Sequence, residues 1–578
     1  MRRSPPPEPV PAVLTQATSL SKPGIERFVG ELKIAAVLGG SRKGQLAFAL
    51  VATAFLIYAA LFIYRTSFVV GGERYFSLFD DAMISMRYAK NLAHGYGLVW
   101  NPGGDRVEGY TNPLWVIFMS IVHFLPIAPS KTSLFIQIAA AAFLAANLYF
   151  VRKIALVVSD GSEGVSLGAV LLTASYLPIN NWGLQGMEVS VLVLIMSIAS
   201  WWALTCLRDG RFSFPLYILL GFSTWIRPDM VVPFGGIMLF LAVADSSNRK
   251  RHLLWGSLIL LCVCAAQTAF RVWYFGDPLP NTYYLKLTGY PLMLRITRGI
   301  YVLAQFIWNA NILLFVLPFM LALSGDRRVL LLLWLLSIQM LYSVYVGGDA
   351  WEYWGGSNRY ISIAMPGFFV VLACGLSRLS RLITDGLKPG SVLAGLQAIQ
   401  WRPAAFPILV GVSVLCFNSI HGVGALAEML LIRAPLHSGK GGENDSEVRE
   451  ALALRRVTTP AASITLVRAG TIPYFSDRIG VDLLGKNDTH IAHEPMRRSF
   501  SGLRALIEFR PGHMKYDYAY SIEEQRPDLV VQLWQHPKDV QPYLAKYYEA
   551  IRLEEWCIYV RQGSANILWD KLPSQTCQ

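Results

Sequence analysis

The sequence has little charge for its length. Only 15% of its 578 residues are Asp, Glu, Lys or Arg and 54% are hydrophobic, whereas about 25% of residues are charged in an ordinary soluble protein. This balance excludes a soluble globular protein. Runs of about 18 or more nearly uncharged residues recur along the chain, and such runs predict membrane-spanning helices.

Cysteines with the spacing of metal ligands are missing. Most of the seven cysteines lie in apolar segments, where we interpret them as packing residues. Cys557 and Cys577 instead fall in a polar C-terminal region, where an oxidising compartment would permit a disulfide, although the residues alone leave that bond open. The sequence also shows no convincing internal repeat, so an inverted-repeat transporter gains no support.

The apolar segments predict about eleven spans. The first, Leu46 to Tyr64, follows a Pro-rich and basic stretch that is too polar for a cleavable signal peptide, so we expect a signal anchor after a disordered cytoplasmic tail over residues 1–44. The further predicted spans are Ser133–Val151, Val165–Leu177, Val189–Cys206, Phe214–Trp225, Val231–Ala244, Leu253–Trp273, Tyr301–Leu323, Val329–Tyr345, Ile361–Leu376 and Phe406–Ile420.

The connections between these spans alternate in chemistry. One set is basic, for example at Arg152/Lys153 and Arg249–Arg251, and positive loops predict the cytoplasmic side. The apolar stretch Pro113 to Leu125 is shorter than the roughly 20 residues of a crossing, so we interpret it as interfacial or re-entrant. Residues 71–131 then form a long external loop. Residues 421–578 are more polar, and their short strand-like runs predict an external α/β domain.

The formal net charge of +13 does not indicate nucleic-acid binding. A nucleic-acid surface would gather basic residues and stacking aromatics on one soluble face. Here the Lys and Arg residues lie mostly in short cytoplasmic turns and near the ends of spans, so the topology accounts for them.

The first external loop contains an acidic pair, Asp80 and Asp81. Two neighbouring carboxylates repel each other, so either one holds its proton more tightly or both need a cation, which suits a general base or a metal site. The structural alternative is that Asp80 caps a helix that begins at Asp81, because Asp is a favoured N-cap residue.

Other external loops combine aromatic, amide and charged residues. They are the Arg227-Pro228-Asp229 turn, the loop from Tyr274 to Lys286 and the segment from Gly347 to Tyr360. Such side chains converging on one face are typical of a site for sugar and phosphate. An aromatic belt at the membrane surface is the alternative for some of the Trp and Tyr residues.

Taken in order, these motifs resemble those of the GT-C glycosyltransferases. Within that superfamily they are most similar to the terminal arabinofuranosyltransferases of mycobacterial cell-wall synthesis and their bacterial relatives. The motifs are Asp-Asp at 80–81, Arg-Tyr-Ala-Lys-Asn-Leu at 87–92, Arg-Val-Glu-Gly-Tyr-Thr-Asn at 106–112, Arg-Pro-Asp at 227–229, Pro-Asn-Thr-Tyr-Tyr-Leu-Lys at 280–286 and Gly-Gly-Asp at 347–349 before Arg359. In the C-terminal region, 469–474, 482–488 and 511–515 also resemble the soluble domain of those relatives.

The resemblance implies a GT-C fold, with a polytopic α-helical membrane domain over residues 45–420 and an external α/β domain after it. It implies a multi-pass protein of the bacterial cytoplasmic (inner) membrane, with a cytoplasmic N-terminus and a periplasmic or extracellular C-terminal domain. The implied reaction moves a sugar, with arabinofuranose favoured, from a polyprenyl-monophosphate donor to a hydroxyl of an acceptor glycan. Membrane lipid is a further expected partner, and nucleic acid is not.

In this family an acidic residue of the first external loop acts as the base, which by position is Asp80 or Asp81, and the sequence does not choose between them. The lipid phosphate leaves as an anion, so cations should meet it, and the candidates are Arg227, Lys286 and Arg359. Attack opposite the phosphate would invert the anomeric carbon in one displacement. The expected substrate-binding residues are Arg87, Glu108, Tyr110, Asn112, Glu188, Asn281, Tyr284 and Asp349.

Several alternatives accompany this interpretation. A divalent cation could bind the paired carboxylates, but no diagnostic ligand spacing supports it, so we predict no metal and no cofactor. Within the enzyme class, the alternative is a hexosyl- or mannosyltransferase that uses another polyprenyl-phosphate sugar. A transporter of lipid-linked sugars is a second alternative. It would be expected to carry polar or charged residues near mid-span and broken helices on a through-path, whereas the predicted spans are clean and their polarity lies at one face.

Overall fold

The computed structural model describes residues 41–349, 352, 358–386, 404–419, 442–497 and 502–577. Most of the predicted tail and the predicted boundary at residue 421 lie outside these ranges, so that boundary stays a prediction. The first helix, α1, spans Arg42–Thr66 and is capped by Ser41. It therefore begins before residue 45, the predicted start of the membrane domain.

Six helices in the described part of the chain are long and apolar enough to cross a membrane. Each coincides with a predicted span, and the protein is a multi-pass membrane protein. These six are α1, α4 (Pro129–Val158), α7 (Val189–Asp209), α10 (Arg249–Phe275), α14 (Arg327–Val346) and α16 (Met365–Gly386).

Four further predicted spans are also helical but short. These are α5 (Glu163–Ala174), α8 (Phe214–Ile226), α9 (Val231–Ala244) and α17 (Ala405–Asn418). They have 12 to 14 residues, whereas a straight crossing needs about 20. The total of about eleven crossings therefore stays a prediction at these helices.

The predicted span from Tyr301 to Leu323 is not one straight helix. It is divided between α12 (Leu292–Asn309) and α13 (Ile312–Leu321), with a bend of 95°. Asn311 lies at the break with a φ of 73°, and its side chain accepts a hydrogen bond from the backbone N–H of Leu313. The apolar run is therefore interrupted after Asn309, and whether the bent pair makes one span stays a prediction.

The connections predicted to be external contain short helices and one hairpin. Strands β1 (Phe68–Val70) and β2 (Glu73–Tyr75) pair antiparallel directly after α1. The short helices are α2 (Asp80–Ala93), α3 (Pro113–His123), α6 (Leu177–Leu184), α11 (Asn281–Leu287) and α15 (Arg359–Ser362). With 11 residues, α3 is too short to cross, as expected for Pro113–Leu125.

The C-terminal region forms the predicted α/β unit. Its five-stranded sheet has the order β4-β3-β5-β7-β6; β4, β3 and β5 are parallel, and β7 and β6 add antiparallel. The strands are β3 (Ser463–Leu466), β4 (Ile479–Asp482), β5 (Leu529–Val530), β6 (Tyr548–Leu553) and β7 (Trp556–Arg561). The helices are α18 (Glu443–Val457), α19 (Thr471–Ser476), α20 (Thr489–His493), α21 (Leu503–Glu508) and α22 (Pro537–Tyr547). Cys557 and Cys577 form a disulfide that ties the end of the chain to β7.

This C-terminal unit packs directly on the first external loop. Helix α19 lies against α2, and the indole of Trp100 donates to the backbone carbonyl of Ala469 at 3.0 Å. Helix α20 of the same unit packs against α11. The loops of the C-terminal unit are therefore held over one end of the membrane helices, the end predicted to be external.

Candidate active site

An open cavity lies between the loops predicted to be external and the C-terminal unit, with about 880 Å³ of empty space when the solvent at its mouth is included. Its wall is assembled from segments that are far apart in the sequence. The lining side chains with polar or charged groups are Asp81, Thr111, Arg227, Asp229, Thr282, Tyr283, Lys286, Tyr342, Asp349, Arg359, Tyr360, Lys486 and His513. The cavity thus gathers acidic and basic groups at one place, as a site for a charged ligand requires.

Asp81, near the start of α2, faces this cavity. One carboxylate oxygen accepts from Lys486 Nζ at 2.7 Å and the other from Arg359 Nη1 at 3.2 Å. Burial raises the pKa of Asp81, but the charges of Lys486 and Arg359 outweigh it and hold that pKa well below its usual range. Asp81 is therefore an ionised acceptor at neutral pH.

Asp80 points to a different partner although it is the preceding residue. Its Oδ1 accepts from the backbone N–H groups of Gly470 at 3.0 Å and Thr471 at 2.9 Å. Burial raises its pKa above the usual range despite the nearby charge of Lys486. Helix α2 begins at Asp80 itself, with Phe79 as its N-cap, so the alternative that Asp80 caps a helix starting at Asp81 was wrong.

Arg359 is held in a fixed orientation at the cavity wall. Asp349 accepts from its Nε at 2.7 Å and from its Nη2 at 3.0 Å, which is a bidentate pair. The guanidinium also lies 5.1 Å from the centre of the Trp182 ring. Asp349 and Asp81 therefore share the charge of Arg359, and a bidentate pair of this kind fixes position as well as charge.

Arg227 is also paired. Its Nη1 donates to Glu188 at 2.9 Å and its Nε to Asp229 at 2.9 Å. The second oxygen of Glu188 accepts from the side-chain amide of Asn112 at 2.9 Å. Glu188 and Asn112, both predicted to bind substrate, thus lie behind Arg227 and orient it rather than line the cavity.

Lys286, on α11, differs from the other basic residues of the cavity. No ion pair joins its ammonium group to any residue that the structure describes. Burial, together with the positive charge of Arg359, lowers the pKa of Lys286 to about 8. Its charge is therefore available for an incoming anion.

Arg87 and Glu108 take part in closed contacts outside the cavity lining. The Arg87 guanidinium donates to the backbone carbonyls of Trp100 at 2.6 Å and Arg478 at 2.8 Å, and so ties α2 to the C-terminal unit. Glu108 accepts from Arg271 Nε at 2.7 Å in a buried pair. Both side chains therefore hold external loops in place, and their predicted contact with substrate stays untested.

The remaining predicted residues lie near the cavity without lining it. Tyr110 is buried edge-on against a neighbouring tyrosine ring, with 4.8 Å between the centroids. The side-chain amide of Asn281 donates to the backbone carbonyl of Lys486 at 3.0 Å, and the Tyr284 hydroxyl donates to Asp277 at 2.7 Å. Asn281 thus positions the loop that carries Lys486.

Lys486 and His513 line the cavity but were not predicted as site residues. The loop that carries Lys486 is shaped by Asp482, whose carboxylate accepts from the backbone N–H groups of Leu484 at 2.9 Å and Asn487 at 2.7 Å. Burial lowers the pKa of His513 to about 3, so its ring is neutral. The motifs at 482–488 and 511–515 were the available signal, because both resemble the relatives' soluble domain.

Among the residues that the structure describes, one group outside the cavity has a geometry that could hold a metal ion, namely His490, Glu494 and Asp517. Arg497 already donates to Asp517 at 2.8 Å and lies 3.3 Å from Glu494. The arginine thus supplies positive charge to both carboxylates, and this group gives no reason to include a metal in the cavity chemistry.

Comparisons with known proteins place this geometry in context. Over 90% of the chain aligns with the oligosaccharyltransferase of Archaeoglobus fulgidus, at a TM-score of 0.52 and 10% identity, covering 75% of that chain. ArnT from Cupriavidus metallidurans aligns over 88% of this chain and 97% of its own, with a TM-score of 0.52 and 11% identity. ArnT bound to undecaprenyl phosphate also aligns, with a TM-score of 0.52.

The chain has the GT-C fold. At 10 to 12% identity these likenesses concern the fold alone.

Two curated relatives support the resemblance seen in the motifs. Both are named terminal β-(1→2)-arabinofuranosyltransferase. The one from Mycobacterium tuberculosis is 25% identical over 221 residues, which is 35% of this chain and 34% of the relative. The one from Corynebacterium glutamicum is 26% identical over 316 residues, 47% and 44% of the two chains. The resemblance to this family is confirmed, although the chain spans less than half the length of either relative in these matches.

A family profile described as a domain of unknown function (DUF8728) matches residues 439–568. This range covers nearly all of the described C-terminal α/β unit, including the Lys486 loop and His513. The part of the chain that contributes these two cavity residues thus corresponds to a recognised sequence family of its own.

Proposed function

We propose that this protein is a glycosyltransferase that moves a sugar from a polyprenyl-monophosphate donor to an acceptor hydroxyl on the external face of the membrane. The observation that carries the proposal is the cavity itself, where the ionised Asp81 lines the same space as Lys286, a cation with no ion pair among the described residues. The names of the two relatives and the undecaprenyl phosphate bound to ArnT support the same reaction class.

The donor phosphate is assigned to the side of the cavity that carries Lys286. Arg227 and Arg359 already contact carboxylates at 2.9 Å and 2.7 Å. They add to the positive charge around the phosphate, while Lys286 has no ion pair among the described residues and can bind the phosphate directly. An ammonium group paired with phosphate oxygens in a buried site forms charge-assisted hydrogen bonds, which are stronger than neutral ones. Because the lipid phosphate leaves as an anion, its departure needs no general acid.

Asp81 is assigned as the general base. The acceptor oxygen attacks C1 of the sugar, its proton passes to a carboxylate oxygen of Asp81, and the C1–O bond to phosphate breaks with the electron pair going to the phosphate. The product sugar is inverted at C1. The low pKa of Asp81 keeps it ionised before the reaction, and Arg359 and Lys486 hold its orientation.

Arabinofuranose is the sugar favoured for this site, because both named relatives are arabinofuranosyltransferases. We also propose that the acceptor is a glycan, and that the protein lies in a bacterial inner membrane with a cytoplasmic N-terminus and an external C-terminal domain.

Transfer in vitro tests this function. Purified protein in detergent is given polyprenyl-phosphate arabinofuranose or the mannose analogue, with a small panel of glycan acceptors, and free polyprenyl phosphate is measured. We expect acceptor-dependent release from the arabinofuranose donor and none in an Asp81→Asn variant. Release from the mannose donor instead would overturn the assignment of arabinofuranose, but the protein would still be a polyprenyl-phosphate-dependent glycosyltransferase. Release from neither, with intact lipid binding, would overturn the sugar assignment and favour the transporter alternative.

A further inference from the structure

We propose that helix α21 of the C-terminal unit inserts into the outer surface of the lipid bilayer beside α12. The two helices pack against each other, and both turn large apolar side chains outward. The proposed occupant of this outward surface is bilayer lipid. The proposal does not depend on the proposed function, since it concerns where the unit rests rather than what it transfers.

Helix α21 turns two large apolar side chains outward. Leu503 is 72% exposed and Ile507 is 61% exposed, next to the exposed Arg504, while Ala505 is buried and Leu506 is half-buried. Leucine and isoleucine four residues apart lie on one face of a helix. Outward apolar side chains beside a basic residue are typical of a helix that lies in a membrane interface.

Helix α12 presents a continuous surface of the same kind. Its buried residues include Arg295 and Arg298, whereas Met293 is 70% exposed and Trp308 is 74% exposed. A membrane protein turns its apolar residues toward lipid and its charged residues toward the protein interior. The outward face of α12 is therefore the lipid-facing face, and α21 extends it.

The position of this surface along the membrane normal follows from α14. Gly299 of α12 lies against the backbone of Val344. Val344 is in the last turn of α14, which ends at Val346 and is followed by Gly347. The next two residues, Gly348 and Asp349, line the cavity. The N-terminal half of α12, and α21 with it, thus lies at the external end of a membrane span, where lipid head groups meet the acyl chains.

The packing of α21 against α12 is the reason to assign lipid rather than a protein partner. The exposed residues of α12 include large apolar side chains such as Leu292, Met293 and Trp308, which belong to the membrane-facing surface of the helices. Insertion would fix the C-terminal unit against the bilayer and hold the loops of Lys486 and His513 over the cavity.

Spin labels can measure the depth of α21 directly. The five free cysteines are replaced by serine in the full chain, the Cys557–Cys577 disulfide is kept, and single nitroxides are placed at Leu503→Cys or Ile507→Cys in nanodiscs. A label at Trp308→Cys gives the lipid reference. Gln541→Cys, exposed on α22 of the same unit, gives the water reference.

We expect the labels at 503 and 507 to have a ratio of oxygen to nickel-chelate accessibility several-fold above that at 541 and close to that at 308. A ratio equal to that at 541 would overturn the proposal. Benzoylphenylalanine at position 503 provides a second measurement that needs no cysteine replacement. Light should then yield lipid adducts by mass spectrometry, and adducts to a second copy of the chain in place of lipid would also overturn it.

Discussion

Asp80 and Asp81 are neighbours in the sequence, yet they belong to two different regions of the molecule. Asp80 lies at the junction between α2 and the C-terminal unit, where backbone N–H groups at 470 and 471 meet its carboxylate. Asp81 lies in the cavity, where side-chain cations meet its carboxylate. Successive helix residues point about 100° apart, so a single turn serves both regions.

The difference between these regions shows how the same side chain can hold a fold or take part in chemistry. Rigid backbone donors bind the carboxylate of Asp80, so that carboxylate joins two parts of the protein. The carboxylate of Asp81 instead meets side-chain cations at the wall of the cavity, where a ligand can also reach it. The two aspartates therefore differ in role because their hydrogen-bond partners differ, although their side chains are the same.

The largest expected effect comes from removing the charge of Asp81. Asp81→Asn keeps the shape of the side chain but takes away the proton acceptor, so transfer should fall by about 10²- to 10⁴-fold. The measurement is the rate of polyprenyl-phosphate release at saturating donor, with gel-filtration elution as the control for folding. Full activity of this variant would contradict the assignment of the base.

Removing the charge of Lys286 should have the next largest effect. A charge-assisted hydrogen bond is worth about 1.5–3 kcal/mol, so Lys286→Gln should weaken donor binding by roughly 10- to 100-fold. Titration with the lipid donor and with the acceptor separates the two substrates. Equal weakening of both would argue against a phosphate contact at this residue.

A change at Asp80 should affect stability more than chemistry. Asp80→Ala leaves two backbone N–H groups without their acceptor, which should cost about 1–3 kcal/mol of unfolding free energy. Asp80→Asn retains an oxygen at the same place and should recover most of that loss. Thermal melting midpoints in detergent give the comparison, and a midpoint for Asp80→Ala equal to that of the original chain would remove the structural role.

The smallest expected effect is the change of donor affinity with pH. Lys286 has a pKa of about 8, so its positive charge is present below that pH and is lost above it. Donor affinity should therefore decline as the pH rises through about 8, although a bound phosphate will move the decline upward. Lys286→Arg keeps its charge throughout, and its donor affinity should stay level over the same range. Parallel pH profiles for the two proteins would contradict a role for the Lys286 charge in donor binding.

The sequence predicted the membrane helices well because long apolar runs with few charges are rare outside membrane spans. The basic loops also predicted which connections share a face, and the structure brings Arg227, Lys286 and Arg359 from three of the other loops into one cavity. The bend at Asn311 could not be predicted, since a positive φ at one asparagine changes neither hydropathy nor length.

The residues that the C-terminal unit contributes to the cavity were harder to predict from the sequence. Lys486 lies about 400 residues after Asp81 in the chain, and a soluble domain offers no topological rule that directs one lysine toward the membrane helices. Arg87 was predicted to bind substrate, but its partners are backbone carbonyls of the protein itself. A carbonyl belongs to every residue, so the sequence cannot reveal that an arginine will be satisfied by the fold.

The most direct test of the account compares the two aspartates in one assay. Asp80→Asn and Asp81→Asn are matched changes on adjacent residues, and both are measured for acceptor-dependent release of polyprenyl phosphate under the same conditions. The account predicts that Asp80→Asn stays close to the original activity while Asp81→Asn loses about 10²-fold or more. Loss of activity in Asp80→Asn with retention in Asp81→Asn would contradict the central claim that the cavity-facing carboxylate is the base.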